Sequence, residues 1–212
     1  MSALNFWSMT SFSGFSALGA FCLNGLHHIL YCIGRMEKGL GRIKDVPLSD
    51  SDIRRVLGKD IKIITYPELA SMNSIDECFD NKGRCIMLYL TESETSGHWV
   101  CMLRKKDGIE FFDPYGEPPE SALRGVSEED KEAYGEAEPY LTNLLKASGL
   151  KVIYNKHRFQ KEKANVNTCG RHSVVRCLYA PDTLEKYKAV MDSSGMSPDD
   201  FVSALTAPKV GK

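Results

Sequence analysis

No charged residue precedes Arg35 in this chain of 212 residues. So long a charge-free start is unusual for a soluble domain and has to be weighed as a membrane segment. Residues 15–33 have about the length of a bilayer span, ~20 residues. Asn24, His27 and His28 interrupt that stretch, and Ser16, Gly19 and Gly25 dilute it further. No positive n-region stands before the apolar part, which argues against a cleaved signal peptide. Two readings of residues 1–45 stay open. The first is a charge-poor helical extension that packs on the remainder; the second is membrane contact through residues 15–33. In the second, Arg35, Lys38, Arg42 and Lys44 would hold the downstream domain on the cytoplasmic side.

An excess of either charge is missing too. Twenty-seven basic residues face 28 acidic ones, so no whole-chain electrostatic argument for nucleic-acid binding exists. The seven cysteines form no short, regular framework. An odd count without such spacing points to free thiols and a reducing compartment. Metal-ligand spacing is absent as well: Cys169, His172 and Cys177 lack a Cys-x-x-Cys half, and Cys78 and Cys85 have no zinc-type separation. Neither a metal nor a cofactor is expected. Repeats and low-complexity segments are lacking, and 42% apolar residues suffice for a core. Residues 46–212 therefore read as one domain.

What is present is a sequence of alternating element signals. Ser49 or Ser51 caps a short helix that carries two aspartates in its first turn. Residues 61–66 and 85–90 read as strands, the second buried on both faces, with a helix over 68–79 between them. Two further strands, 98–103 and 109–113, flank Arg-Lys-Lys-Asp-Gly, a hairpin signal. A four-residue loop, Arg104 to Asp107, would set His98 directly opposite Asp113, whereas an Asp107-Gly108 turn would leave them two diagonals apart. The acidic stretch 117–138 reads as a surface excursion. Helices are expected over 140–147, 169–179, 183–193 and 198–205, and a strand over 151–154.

The densest chemistry lies in Asn167-Thr168-Cys169-Gly170-Arg171-His172. A thiol acts as a nucleophile only as thiolate, so it needs an imidazole nearby and gains from the positive end of a helix. Asn167 or Thr168 can cap a helix whose apolar residues Val174, Val175 and Leu178 follow at helical spacing, which puts Cys169 in its first turn. Gly170 permits close backbone approach there. Taken singly, Cys169 would be a small core residue, His98 a half-buried strand residue and Asp113 a turn former before Pro114. Their joint occurrence lifts them above those readings. His172 shares a helical face with Cys169 and is a rival base.

In chain order these segments are Gly97-His98-Trp99, Phe111-Phe112-Asp113-Pro114-Tyr115-Gly116, Gln160 and Thr168-Cys169-Gly170. In that order they resemble the adenovirus-type and SUMO-protease-type cysteine peptidases, and most of all the versions carried by large DNA viruses and virophages. The resemblance spans residues 46–180. It implies an α+β fold, papain-like in circularly permuted order, with a central mostly antiparallel sheet flanked by helices and the nucleophile at a helix N-terminus. It also implies a Cys169, His98, Asp113 triad, Gln160 as an oxyanion donor, and Trp99 with Gly170 lining the substrate channel. Gln160 lies nine positions before Cys169, where relatives use six or seven, so Asn165 or Asn167 could substitute as donor.

The function so implied is an endopeptidase that cleaves viral capsid or scaffold precursors after small, glycine-type motifs, in the virion or the host cytoplasm. Removal of a ubiquitin-like modifier is the alternative within hydrolases, and acyl transfer on the same triad is a more distant one. A non-catalytic module holding a glycine-tailed partner is the alternative outside enzymes.

Overall fold

Strict alternation along neighbouring strands divides the apolar side chains between two cores. The computed structural model describes residues 40–207 apart from Glu94 and Asn165. Its sheet runs in the order β1 (Lys62–Thr65), β2 (Arg84–Ser93), β3 (Ser96–Lys105), β4 (Gly108–Phe112) and β5 (Lys151–Tyr154). Ile86, Leu88, Trp99, Cys101 and Phe112 point into one core, and Met87, Tyr89, Val100, Met102 and Phe111 into the other. This is the two-residue period of a strand covered on both sides. Residues 84–90 are accordingly all buried, as the apolar run at 85–90 suggests.

The sheet is mixed rather than mostly antiparallel. β2, β3 and β4 pair antiparallel, but β1 lies parallel to β2 and β5 parallel to β4. Each edge strand is separated from its neighbour by a long connection that contains helical turns, residues 66–83 on one side and 113–150 on the other. A crossover of that length returns the chain in the same direction, as a tight hairpin cannot.

Seven α-helices are described: α1 (Leu40–Asp45), α2 (Asp50–Leu57), α3 (Glu128–Tyr134), α4 (Tyr140–Ala147), α5 (Cys169–Leu178), α6 (Leu184–Ser193) and α7 (Pro198–Thr206). Ser49 caps α2 in a reciprocal box with Asp52. The single helix expected over 68–79 is instead two 3₁₀ segments, Tyr66–Ser71 and Ile75–Cys78. Thr65 with Glu68 and Ser74 with Glu77 each form a capping box, so the chain starts a helix twice within ten positions and completes neither as α. The charge-poor start, with the proposed span 15–33, lies outside the described residues. Among the described residues no helix is long and apolar enough to cross a membrane.

α5 packs on β3 and against α7 and α2, and it is buried from Cys169 to Cys177. Its polar residues are therefore all partnered inward. Arg176 reaches β4 and grips Glu110 with two bonds, Nε to Oε1 at 2.6 Å and Nη2 to Oε2 at 2.8 Å. A fork of that geometry fixes the helix against the sheet in rotation as well as in distance.

Candidate active site

The hairpin between β3 and β4 closes on a two-residue loop, Lys106 and Asp107, with Lys105 opposite Gly108. Neither of the two turns considered from sequence is formed. Carried back beyond the strand end, this register would set His98 opposite Tyr115, two positions past Asp113. The diagonal is still short enough for contact across a sheet. His98 Nε2 donates to Asp113 Oδ1 at 3.0 Å, and the two rings of His98 and Tyr115 stack with centroids 5.0 Å apart.

Asp113 is fixed from behind. Its N–H donates to Asn155 Oδ1 at 2.9 Å, and Asn155 Nδ2 donates to its carbonyl at 2.6 Å. The Tyr115 N–H donates to Asp113 Oδ1 at 2.7 Å. The strand bearing His98 is fixed by Gly97. A Cβ there would fall 1.9 Å from the Tyr89 carbonyl oxygen and 2.6 Å from the Thr91 nitrogen. Only glycine lets β2 lie so close, at the point where the β2–β3 register is interrupted after Tyr89.

Cys169 is the first residue of α5. The cap position is Thr168, but its side chain does not cap. Thr168 Oγ1 donates instead to Asp199 Oδ1 at 2.6 Å, and Asn167 Nδ2 donates to the Asp45 carbonyl at 2.9 Å. The first-turn N–H groups thus keep their positive potential for the sulfur, and the backbone amides of Trp99 and Gly170 favour its charged form. Burial pushes the Cys169 thiol up, but the His98 ring and these N–H groups outweigh it and bring the thiol below its ordinary value. Burial likewise works against the charged His98, yet Asp113 and Cys169 together hold the imidazole up at about 10. Both shifts favour a thiolate beside an imidazolium. With Nε2 on Asp113, Nδ1 is the nitrogen left for the sulfur.

A cleft of about 450 Å³ opens onto this pair, lined by Gly97, His98, Tyr115, Gln160, Asn167 and Cys169 among others. Gln160 is held there by its own backbone: the N–H groups of Phe159 and Gln160 both donate to the Pro114 carbonyl, at 2.8 and 3.0 Å. Its Nε2 donates to Tyr115 Oη at 3.1 Å and to the Val166 carbonyl at 2.9 Å, while Oε1 is buried with no partner. Trp99 and Gly170 do not line the cleft. They pack on each other, and a Cβ on Gly170 would fall 3.1 Å from the indole ring.

His172 is placed elsewhere. It is fully buried and donates from Nε2 to Asp199 Oδ1 at 3.1 Å. Burial outweighs that carboxylate and holds the ring below its ordinary value, hence neutral. Cys177 faces Cys101 across the core, so the set Cys169, His172 and Cys177 does not converge. Among the described residues no group of three or more potential ligands could hold a metal.

Three residues of the site escaped the sequence. Asn155 and Asp199 are single polar residues at the end of a strand and the start of a helix, and only their contacts reveal them. Tyr115 stood within the Asp-Pro-Tyr-Gly segment, where an aromatic between a carboxylate and a glycine was the available signal.

No protein-family model matches the chain. It is 32% identical over 174 residues to the uncharacterized protein V9 of Sputnik virophage, a match that takes in 80% of this chain and 99% of that one. The chain belongs to the family of protein V9. Among solved structures, the SUMO protease Ulp1 with its catalytic cysteine oxidised to a sulfinic acid overlaps 86% of this V9-family chain and 92% of its own, at 12% identity and a TM-score of 0.36. The central domain of the uncharacterized Lpg1148 protein from Legionella pneumophila overlaps 76% and 99%, at 18% identity and a TM-score of 0.29.

Proposed function

We propose that this chain is a cysteine endopeptidase in which Cys169 is the nucleophile, His98 its acid and base, and Asp113 the carboxylate that orients the imidazole. The observation that carries the reading is the bond from His98 Nε2 to Asp113 at 3.0 Å, with the other ring nitrogen turned to a thiol at an uncapped helix start. That arrangement supplies a preformed thiolate and an imidazolium ready to protonate a leaving amine.

In the proposed reaction the Cys169 thiolate attacks the scissile carbonyl carbon, a C–S bond forms, and the carbonyl π pair moves to oxygen. In this reading the Cys169 N–H, at the start of α5, donates to that oxygen. Collapse breaks the C–N bond, and the amine leaves with the proton of His98. Water then adds to the thioester, giving its proton back to His98, and the thiolate departs as the acid product forms. The virophage relative supports a viral setting, so the substrate we propose is a capsid or scaffold precursor cut after a small-residue motif.

The test pairs chemistry with substrate. Iodoacetamide should label Cys169 well below the pH at which an ordinary thiol reacts, as read by peptide mass spectrometry. The full chain should also cleave co-expressed virophage capsid precursors, and Cys169→Ala should not. Cleavage by folded Cys169→Ala would overturn the assignment. Labelling by a glycine-ended ubiquitin-like thiol probe without precursor cleavage would instead move the substrate to modifier conjugates.

A further inference from the structure

The oxyanion donor of a thiol peptidase has to hold a proton that nothing else has claimed, and Gln160 does not meet that condition. Both protons of its amide are used, one on Tyr115 Oη and one on the Val166 carbonyl. Turning the amide over would set Oε1 against the Val166 carbonyl, two acceptors face to face, so the orientation is fixed by that neighbour. The group left without a partner at Gln160 is the acceptor Oε1, which cannot stabilise a developing negative charge.

Tyr115 has the proton that Gln160 lacks. Its hydroxyl accepts from Gln160 Nε2, and among the described residues nothing accepts from the hydroxyl in turn. The residue lines the cleft together with Cys169 and His98. Its position is held at three places: the ring on the imidazole face at 5.0 Å, the N–H on Asp113 Oδ1 at 2.7 Å, and the hydroxyl on the Gln160 amide. A donor built into the base, its carboxylate and the glutamine at once is preorganised, and such a donor loses little when charge develops. Accepting a hydrogen bond also polarises the O–H and makes it the stronger donor.

We propose that Tyr115 is a catalytic residue: its O–H, polarised by Gln160, donates to the oxygen of the tetrahedral intermediate alongside the Cys169 N–H. Gln160 is then a positioning residue that acts through the tyrosine. The inference rests on the acyl chemistry assigned to Cys169 above and deepens it. No proton is transferred by the tyrosine; it holds a hydrogen bond that strengthens as the C–S bond forms and weakens as the thioester appears.

The experiment uses the full chain, the p-nitrophenyl ester of N-acetylglycine as acyl donor, and iodoacetamide as a reagent that needs the thiolate but builds no oxyanion. Tyr115→Phe keeps the ring on His98 and the N–H on Asp113 and removes only the hydroxyl. It should lower the acylation rate by about 10² while leaving the rate and pH profile of alkylation at Cys169 unchanged. Gln160→Ala should lose less, and the double variant no more than Tyr115→Phe alone, because one acts through the other. Wild-type acylation by Tyr115→Phe overturns the inference and leaves the peptidase reading standing. So does a double variant whose losses add. If wild-type turnover of the ester equals that of Cys169→Ala, the acyl chemistry itself fails, and the inference falls with it. Circular dichroism of each variant confirms that the fold is retained.

Discussion

Asn155 holds Asp113 by both polar groups of its backbone, accepting from the N–H at 2.9 Å and donating to the carbonyl at 2.6 Å. Its amide also donates to the His157 carbonyl at 3.0 Å, so the end of β5 and the Asp-Pro turn move as one piece. The carboxylate that orients His98 therefore owes its place to a residue 42 positions further along the chain.

Asn155→Ala should weaken catalysis without touching the triad. With the turn released, Asp113 no longer fixes the imidazole, and a misplacement of about 1 Å can cost on the order of 10² in rate. A fall in kcat of about tenfold or more, smaller than that of Asp113→Ala, is expected from steady-state kinetics. Three bonds are lost, two of them buried, so the urea midpoint should fall as well, by the equivalent of about 2–3 kcal/mol. Unchanged kcat would mean the turn is rigid by itself.

The pH profile follows from the pair of shifts. The thiol titrates below its ordinary value, so kcat/KM should rise on the acid side of pH 9. The imidazolium needed by the leaving amine is lost as the pH passes about 10. In Asp113→Asn the carboxylate that raises His98 is gone. The alkaline limb should then move down and the acid limb up, because each partner has less of the other's charge to hold it. Steady-state kcat/KM measured across pH 4–11 would reveal the narrowing. A limb that stays put on either side would contradict the ion pair.

The two His–Asp pairs should separate cleanly by what they damage. His98→Ala should stop turnover, and its cost in stability should be confined to the single lost bond to Asp113, about 1–3 kcal/mol. Asp199 is buried beneath α5 and accepts from Thr168, His172 and the Lys161 N–H. Asp199→Ala orphans these donors at about 1–3 kcal/mol each before relaxation, so denaturation should report a loss of several kcal/mol. Neutral His172 contributes packing and one of those bonds, and His172→Asn should cost stability while leaving the acylation step intact. A catalytically dead, stably folded His172→Asn would reverse the assignment of the base.

Truncation should mark where the N-terminal segment begins to matter. The Lys44 carbonyl accepts from the Asn167 N–H at 2.8 Å, the Asp45 carbonyl from its side chain, and Lys44 Nζ pairs with Asp200 at 2.7 Å. Removing residues 1–36 spares all of these; removing residues 1–46 takes them away just before Cys169. Alkylation of Cys169 should survive the first cut and slow by about tenfold or more in the second, by the same positional argument. Equal rates would show that α1 is dispensable.

The elements most legible in the sequence were those with long, uninterrupted patterns. The apolar run at 85–90, the strand at 151–154 and the helices beginning at Tyr140 and Cys169 stand close to where periodicity puts them. Register was harder to read. Arg-Lys-Lys-Asp-Gly admits several turns, and the choice among them is made by packing across the sheet rather than by the loop residues themselves. The acidic segment 117–138 misled in another way. Glu136 is buried and accepts from the Leu90 N–H, and Glu120 accepts from Tyr66 and Thr142, although carboxylates in such a run read as solvated. The cap at Thr168 was expected for its type, but the side chain is drawn off by Asp199, which lies 31 positions away.

The segment between Gln160 and Cys169 is pinned at both ends. Pro114 takes the N–H groups on the Gln160 side, and Lys44 takes the Asn167 N–H on the other. Inward from these ends the Lys161 N–H donates to Asp199 at 3.2 Å and the Val166 carbonyl accepts from Gln160 Nε2 at 2.9 Å, so each end is held by more than one bond. A change of length confined to the middle of this loop would leave both anchored ends in place, so a search pattern that demands a fixed interval from glutamine to cysteine asks for more than the site itself requires.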